Sequence, residues 1–470
     1  MFGELASIDG MQVGGIVNAQ PDLHAAQLRK GLAGRNGRGD ERALIDEIDR
    51  VVARRKLPKS LRQKAVSRLQ KSRISRLLSG PEDRQKPDPL VSLDPARYGD
   101  FLWSRLFAPT LPASYKSKVL SGQFFAVRTG RRSANRMALA STAPAEIDTS
   151  GWDLLIANTP FPYAISAGTK LIVRYYDAIP VLFPDTVSEG EEEAERHRTL
   201  LHKNAHSGAW FSCISAPVRD DLLRLAPEAG GRAFVIPCMA SPLFWPEKRP
   251  DAEIQQIVDL RGCPASELEP GGSGGQGERQ QPTKRLSPGF FMAVSTLEPR
   301  KNFHLLIKAW ADLRGHLGDD VPDLVLIANP GWRFAQAAAA INHWRGRGLF
   351  HLWRVPMEEL RALYSAAMAV VCPSITEGFN LSGVEAMRCK TAVIASDIAV
   401  HRSVYGDAAR YFDPAEPTSL VRVLSEAACW PADEGQGATL RAHGLQQSAQ
   451  YRPETVARTW REFLRRVRSD

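Results

Sequence analysis

No stretch of this 470-residue sequence runs for about 18 apolar residues, so nothing in it predicts a membrane-spanning helix. The opening MFGELASIDGMQVGG lacks the basic start and apolar core of a secretory signal, and the expectation is a cytoplasmic chain. Cys213, Cys238, Cys263, Cys372, Cys389 and Cys429 form no C-x-x-C pair, which argues against a zinc ribbon or a redox dithiol. Scattered thiols of this kind fit a reducing compartment. The histidines show no metal-ligand spacing. His202 and His206 stand four apart on a segment that reads as helix, but neither a third ligand nor an H-E-x-x-H pattern accompanies them. A clean G-x-G-x-x-G is missing, which weakens a dinucleotide reading, and no Ser-His-Asp or Cys-His arrangement appears in a recognisable context.

What is present is an ordinary globular balance, 43% hydrophobic and 24% charged, on a chain long enough for two domains of roughly 200 residues. The formal net charge is +9, which points to anionic partners such as phosphorylated small molecules, acidic lipid headgroups or nucleic acid. The cations concentrate in residues 50–76, RVVARRKLPKSLRQKAVSRLQKSRISR. That segment reads as a solvated helical face, with contact to an anionic membrane as the sharper alternative. Nucleic acid is disfavoured because no aromatic interleaving accompanies the charge.

Residues 1–100 carry few clear signals. Residues 41–78 look helical, and Gly14-Gly15 offers a weak phosphate-loop signal with no strong strand before it. From Trp152 the pattern sharpens. Strands are expected at 152–158, 170–175, 208–215 and 233–237, alternating with helices at 191–206 and 217–226. Residues 266–288 are rich in glycine, glutamine and proline and read as a flexible insertion. A second alternating series follows, with strands at 290–295, 323–328, 348–353, 369–374, 391–396 and 409–414, and an amphipathic helix ends the chain at 453–469. Alternation of this kind predicts an α/β protein with two doubly wound parallel sheets, and a ligand crevice at their carboxyl ends. The expected domains are 1–247, a linker at 248–288, 289–450, and a closing helix at 451–470 that crosses back to the first domain.

Two elements carry chemistry. In PSITEGFNLSGVEAM, residues 373–387, a strand gives way through a turn to a helix. The amides of Gly378, Phe379, Asn380 and Leu381 at that helix start make an anion site suited to a diphosphate. Glu385 is the candidate ribose reader, and Glu377 sits in the turn where it can face a sugar; equally, both are acids favoured at a helix start. In STLEPRKN, residues 295–302, Arg300 and Lys301 open a helix whose dipole they oppose. Neutralising a diphosphate explains them, and two ordinary surface cations are the plainer alternative.

Residues 290–414 resemble the donor domain of the family 4 retaining glycosyltransferases, of the GT-B fold. The resemblance rests on E-x7-E as Glu377-GFNLSGV-Glu385, on EPRKN as Glu298 to Asn302, and on GDAARYFDP as Gly406 to Pro414, in matching order and spacing. The nearest group is the bacterial mannosyltransferases that build polysaccharides. The resemblance implies that Glu385 binds ribose, Glu377 lies by the donor sugar, and Arg300 with Lys301 grips the diphosphate. It also implies that the main chain at Arg354 and Val355 reads the base. Upstream, WDLLIANTPFP and VRYYDAIPVLFP resemble the acceptor side, with Tyr176-Asp177 where the family usually has His-Asp, and Cys238-Met239 where it tends to have Asn-Gly.

The reading that follows is a GT-B transferase of two Rossmann-like domains facing across a cleft. It moves a hexose, mannose from GDP-mannose on the resemblance, to a lipid-linked or growing oligosaccharide. Glu377, Asp177 and Tyr176 are the catalytic candidates. No metal or other cofactor is expected, because side-chain cations and helix amides supply the charge. A UDP-sugar donor and a non-catalytic nucleotide-sugar-binding scaffold are the rival readings.

Overall fold

A computed structural model describes residues 14–17, 87–108, 111, 113–127, 131–140, 144–188, 190–268, 284–431 and 434–470. The basic 50–76 segment, the helical reading of 41–78 and the centre of the 266–288 insertion lie outside the described residues. The chain divides into two compact units, Met1–Ile172 and Val173–Asp470.

In the first unit, strand β1 (Gly14–Val17) pairs in parallel with β3 (Gln123–Ala126), and β2 (Val91–Leu93) pairs antiparallel to β3. Gly14 and Gly15 therefore begin a strand, opposite Gln123 and Phe124, instead of forming a phosphate loop. Leu93, Leu102, Val119 and Phe124 form the small core beside this sheet. Two-residue strands β4 (Glu146–Ile147) and β6 (Ala164–Ile165) pair nearby, and β5 (Leu154–Ala157) matches the first apolar run of the sequence.

The second unit begins within β7 (Lys170–Tyr175), whose neighbour β8 (Trp210–Cys213) pairs in parallel with β9 (Ala233–Val235). The closing Pro453–Ser469 helix packs on these strands, with the Phe463 ring 6.1 Å from that of Trp210 and 5.4 Å from that of Phe234.

The larger sheet is all parallel, in the order β12-β11-β10-β13-β14-β15: β10 (Phe291–Leu297), β11 (Leu324–Pro330), β12 (Leu349–Leu352), β13 (Ala369–Cys372), β14 (Ala392–Ser396) and β15 (Ala409–Phe412). AVVC and AVIAS are buried throughout, as strands covered on both faces must be, which is why they read as continuous apolar runs. The Phe303–Leu317 and Pro417–Ala428 helices share one core with the sheet through Leu306, Trp310, Leu420 and Leu424. Trp310 is fully buried, and its indole N–H donates to the Pro322 carbonyl at 2.9 Å. Truncating it to alanine is expected to cost about 3–5 kcal/mol.

Candidate functional site

Order 3-2-1-4-5-6 places the topological switch between β10 and β13, where successive connections leave toward opposite edges and open a crevice at the carboxyl ends. The two segments singled out from the sequence emerge from these two strands. Arg300 and Lys301 do not open the helix itself. They sit on a single 3-10 turn, Pro299–Lys301, followed by Asn302 in the left-handed region at φ 55°, and the helix begins at Phe303. Their cations are therefore carried by the turn after β10, immediately before the N-cap residue Asn302. The turn lies directly against the other segment: the Ile375 N–H donates to the Arg300 carbonyl at 2.9 Å.

Glu377 is the meeting point. Its Oε2 accepts from Arg300 Nη1 at 2.9 Å, and its Oε1 accepts from Lys301 Nζ at 2.5 Å and from the Ser374 hydroxyl at 2.7 Å. Arg300 Nε also reaches Glu298 Oε2 at 3.2 Å. Burial disfavours the charged form of Glu377, but Lys301 and Arg300, with hydrogen bonds from Lys301 and Ser374, outweigh it and hold the carboxyl below its usual range. The site is thus a buried carboxylate between two cations that it holds in place.

The turn from 378 to 380 needs unusual backbone. A Cβ on Gly378 would fall 2.1 Å from the Tyr176 carbonyl oxygen and 3.0 Å from Ile214 Cδ1, so only glycine allows this approach. The Ser215 hydroxyl donates to the Gly378 carbonyl at 2.8 Å. Asn380 stands in the left-handed region at φ 68°, and the Leu381–Arg388 helix starts after it with no side chain capping its first amides. Two neighbours fix Asn380. The Tyr405 hydroxyl donates to its carbonyl at 2.8 Å, and its side-chain nitrogen lies 2.9 Å from His401 Nε2. His401 is fully buried, and burial pushes its imidazole down to about 4, so the ring is neutral. With Nδ1–H donating to the Ser396 carbonyl at 2.9 Å, Nε2 is left to accept from the Asn380 amide. A small pocket of mixed lining lies at this helix start, with Ser295, Lys301 and Asn380 on its polar side and Val294, Phe303 and Val371 on its apolar side. Phe379 points elsewhere: it is buried, edge-on to Tyr451 at 5.2 Å.

Glu385 lies on the Leu381–Arg388 helix and accepts from the Tyr364 hydroxyl at 3.1 Å. Burial pushes its carboxyl up to about 7, against the Tyr364 hydrogen bond, so it changes protonation state near neutrality. Arg354 is exposed at φ 50° in the loop after β12, its guanidinium stacked 4.2 Å over the Trp353 ring, and Val355 follows it toward the Met357–Ala366 helix. This loop leaves the same edge of the sheet as the 298–302 and 373–380 turns.

Of the upstream pair, Asp177 lies near the charges of the site, while Tyr176 meets it through its main-chain carbonyl against Gly378. Asp177 is pushed up by burial, and it senses the charges of Arg300, Glu377 and Lys301; its Oδ1 accepts from the Ile179 N–H at 3.0 Å. Tyr176 is 42% exposed, with the Arg174 guanidinium 5.8 Å from its ring centre, and partial burial raises its phenol further. Sequence reasoning missed Ser215, Ser374 and His401. Ser374 carried a signal in hindsight, as the residue two places after the β13 apolar run, whereas Ser215 and His401 meet the turn only through the fold.

Residues 276–428 match the family model described as "Glycosyl transferases group 1". The serotype-specific mannosyltransferase WbdA of Escherichia coli is 32% identical over 169 residues, which are 35% of this chain and 20% of that protein. The O-antigen chain mannosyltransferase B of E. coli is 30% identical over 164 residues, 35% of this chain and 42% of that protein. The chain thus spans well under two thirds of these relatives' length. Among solved structures, HepE from Anabaena, crystallised with UDP, superposes with a TM-score of 0.51 at 15% identity, covering 75% of this chain and 88% of that one. The fold is GT-B.

Proposed function

We propose that this chain transfers a hexose from a nucleotide sugar to a lipid-linked or growing oligosaccharide with retention of anomeric configuration, and that GDP-mannose is the donor. The observation that carries this reading is the meeting of Arg300 and Lys301 with Glu377 at the β10–β13 switch point. Mannosyltransferase relatives that match about a third of the chain support the choice of donor.

The diphosphate lies against the 378–381 turn and helix start. Guanidinium and ammonium groups hold more N–H donors than Glu377 uses, so Arg300 and Lys301 bind phosphate oxygens while still anchored to it. That fixed positive charge stabilises the departing nucleoside diphosphate. The bond from the anomeric carbon to the phosphate oxygen breaks, the acceptor hydroxyl oxygen bonds to the same face of that carbon, and its proton passes to the leaving phosphate oxygen. Glu377 and Asp177 orient the two sugars, Tyr176 hydrogen-bonds a sugar hydroxyl, and Glu385 takes the ribose hydroxyls beside Tyr364. Main chain at Arg354 and Val355 meets the base. The basic 50–76 segment rests against anionic lipid where the acceptor is membrane-bound.

A screen of nucleotide sugars for release of free nucleoside diphosphate, with thermal shifts by GDP and UDP in parallel, tests this. Stabilisation by GDP and turnover of GDP-mannose are expected. Stabilisation by UDP alone would remove mannose as the donor, and donor binding without turnover on any acceptor pool would favour a scaffold.

A further inference from the structure

A second group of ligand-type side chains lies on a different part of the fold. The Gly190–His206 helix carries His202 and His206 four positions apart, so both rings leave one face, with centroids 6.3 Å apart. Glu228, from the 3-10 turn Pro227–Ala229, reaches that face. Its Oε1 is 2.8 Å from His202 Nδ1 and 3.1 Å from His206 Nδ1, which also donates to the His202 carbonyl at 2.8 Å and so leaves Nε2 as the His206 lone pair open to a metal. One ligand atom from each of the three residues lies within 4.8 Å of the others.

The arrangement is held from behind. Arg232 Nη2 donates to the Glu228 carbonyl at 2.6 Å and to the Ala205 carbonyl at 3.0 Å, while Nη1 donates to the Ala209 carbonyl at 3.2 Å. The main chain bearing Glu228 is thereby tied to the end of the helix bearing the histidines. Two imidazole nitrogens and one carboxylate oxygen are the donors of three-ligand zinc sites, in which water takes the remaining position. The side chains are 39%, 71% and 24% exposed, so the cluster is open to an ion from solvent. Imidazole donors favour zinc and its neighbours in the transition series over magnesium or calcium.

We propose that His202, His206 and Glu228 bind a divalent transition metal of the zinc type, which clips the end of the Gly190–His206 helix to the 227–229 turn. The metal acts on this local structure and takes no part in sugar transfer.

Calorimetric titration of the metal-stripped full chain with Zn2+, with Mg2+ as control, tests the site. One Zn2+ per chain and a rise in Tm are expected, with no response to Mg2+. His206→Ala and Glu228→Gln should each weaken Zn2+ binding by about tenfold or more, while His443→Ala leaves it unchanged. Co2+ should give a visible absorption band that Zn2+ abolishes and that His202→Ala lacks, with far-UV circular dichroism showing each variant folded. Absence of saturable Zn2+ binding to the parent chain, or binding that survives in folded His206→Ala and Glu228→Gln, would overturn the proposal.

Discussion

Lys301 and Glu377 are 76 residues apart in sequence, yet Nζ and Oε1 are 2.5 Å apart, with Arg300 on the other carboxylate oxygen. The pair of turns after β10 and β13 is therefore one electrostatic unit. Glu377→Ala leaves two largely buried cations without their shared partner. A loss of about 3 kcal/mol of stability is expected from breaking such a pair. Turnover of the donor should fall by roughly 100-fold or more. Thermal denaturation and steady-state release of nucleoside diphosphate measure both; a variant as stable and active as the parent would contradict the assignment.

Glu385 should print a pH signature on stability. Its folded-state carboxyl, near 7, sits above the ordinary carboxylate value, so between the two the folded chain holds a proton that the unfolded chain has released. Its contribution is fully present below the unfolded value and is lost as pH rises toward about 7. Glu385→Gln should flatten that part of the stability curve in denaturant titrations from pH 4 to 8. An unchanged slope would mean the carboxyl is not raised.

Asn380 separates backbone from side-chain effects. Asn380→Gly keeps the left-handed conformation but removes the amide that meets His401, and a loss of about 1 kcal/mol is expected. Asn380→Val adds a β-branched residue at φ 68° and should cost roughly 1–3 kcal/mol more. Urea unfolding of the two variants gives the comparison, and donor KM should rise in both. Equal stabilities would show that the left-handed turn is not imposed by the fold.

Tyr176 stands where an imidazole is usual in the group that the donor segment resembles, and its phenol is pushed up. It stays protonated throughout the neutral range, where it can donate or accept a hydrogen bond but not act as a base. Tyr176→Phe should reduce transfer by roughly tenfold or less, through acceptor KM, with donor affinity intact. A pH–rate profile that loses a limb in Tyr176→Phe would instead assign the residue a proton-transfer role.

Much of this was legible beforehand because parallel strands buried on both faces write themselves as unbroken apolar runs. AVVC, AVIAS and LVLIA each mark their strand to within a residue or two. The strand–turn–helix carrying Glu377, Gly378 and Glu385 was legible because these residues are local in sequence. The 3-10 turn before Phe303 was not, because it depends on Asn302 adopting a positive φ, which residue type alone does not dictate. Nor was the partnership of His401 with Asn380, or of Glu228 with His202. Each joins residues more than 20 positions apart whose meeting is decided by strand order and helix packing.

The contact of Gly378 with the Tyr176 carbonyl has a bearing on how such chains diverge. Two strips of main chain touch with no space for a methyl group, so neither can change course alone. Across homologues, a side chain at position 378 should appear only together with an altered path at 175–179. A swap of one strip between relatives should yield inactive hybrids unless the other is exchanged with it.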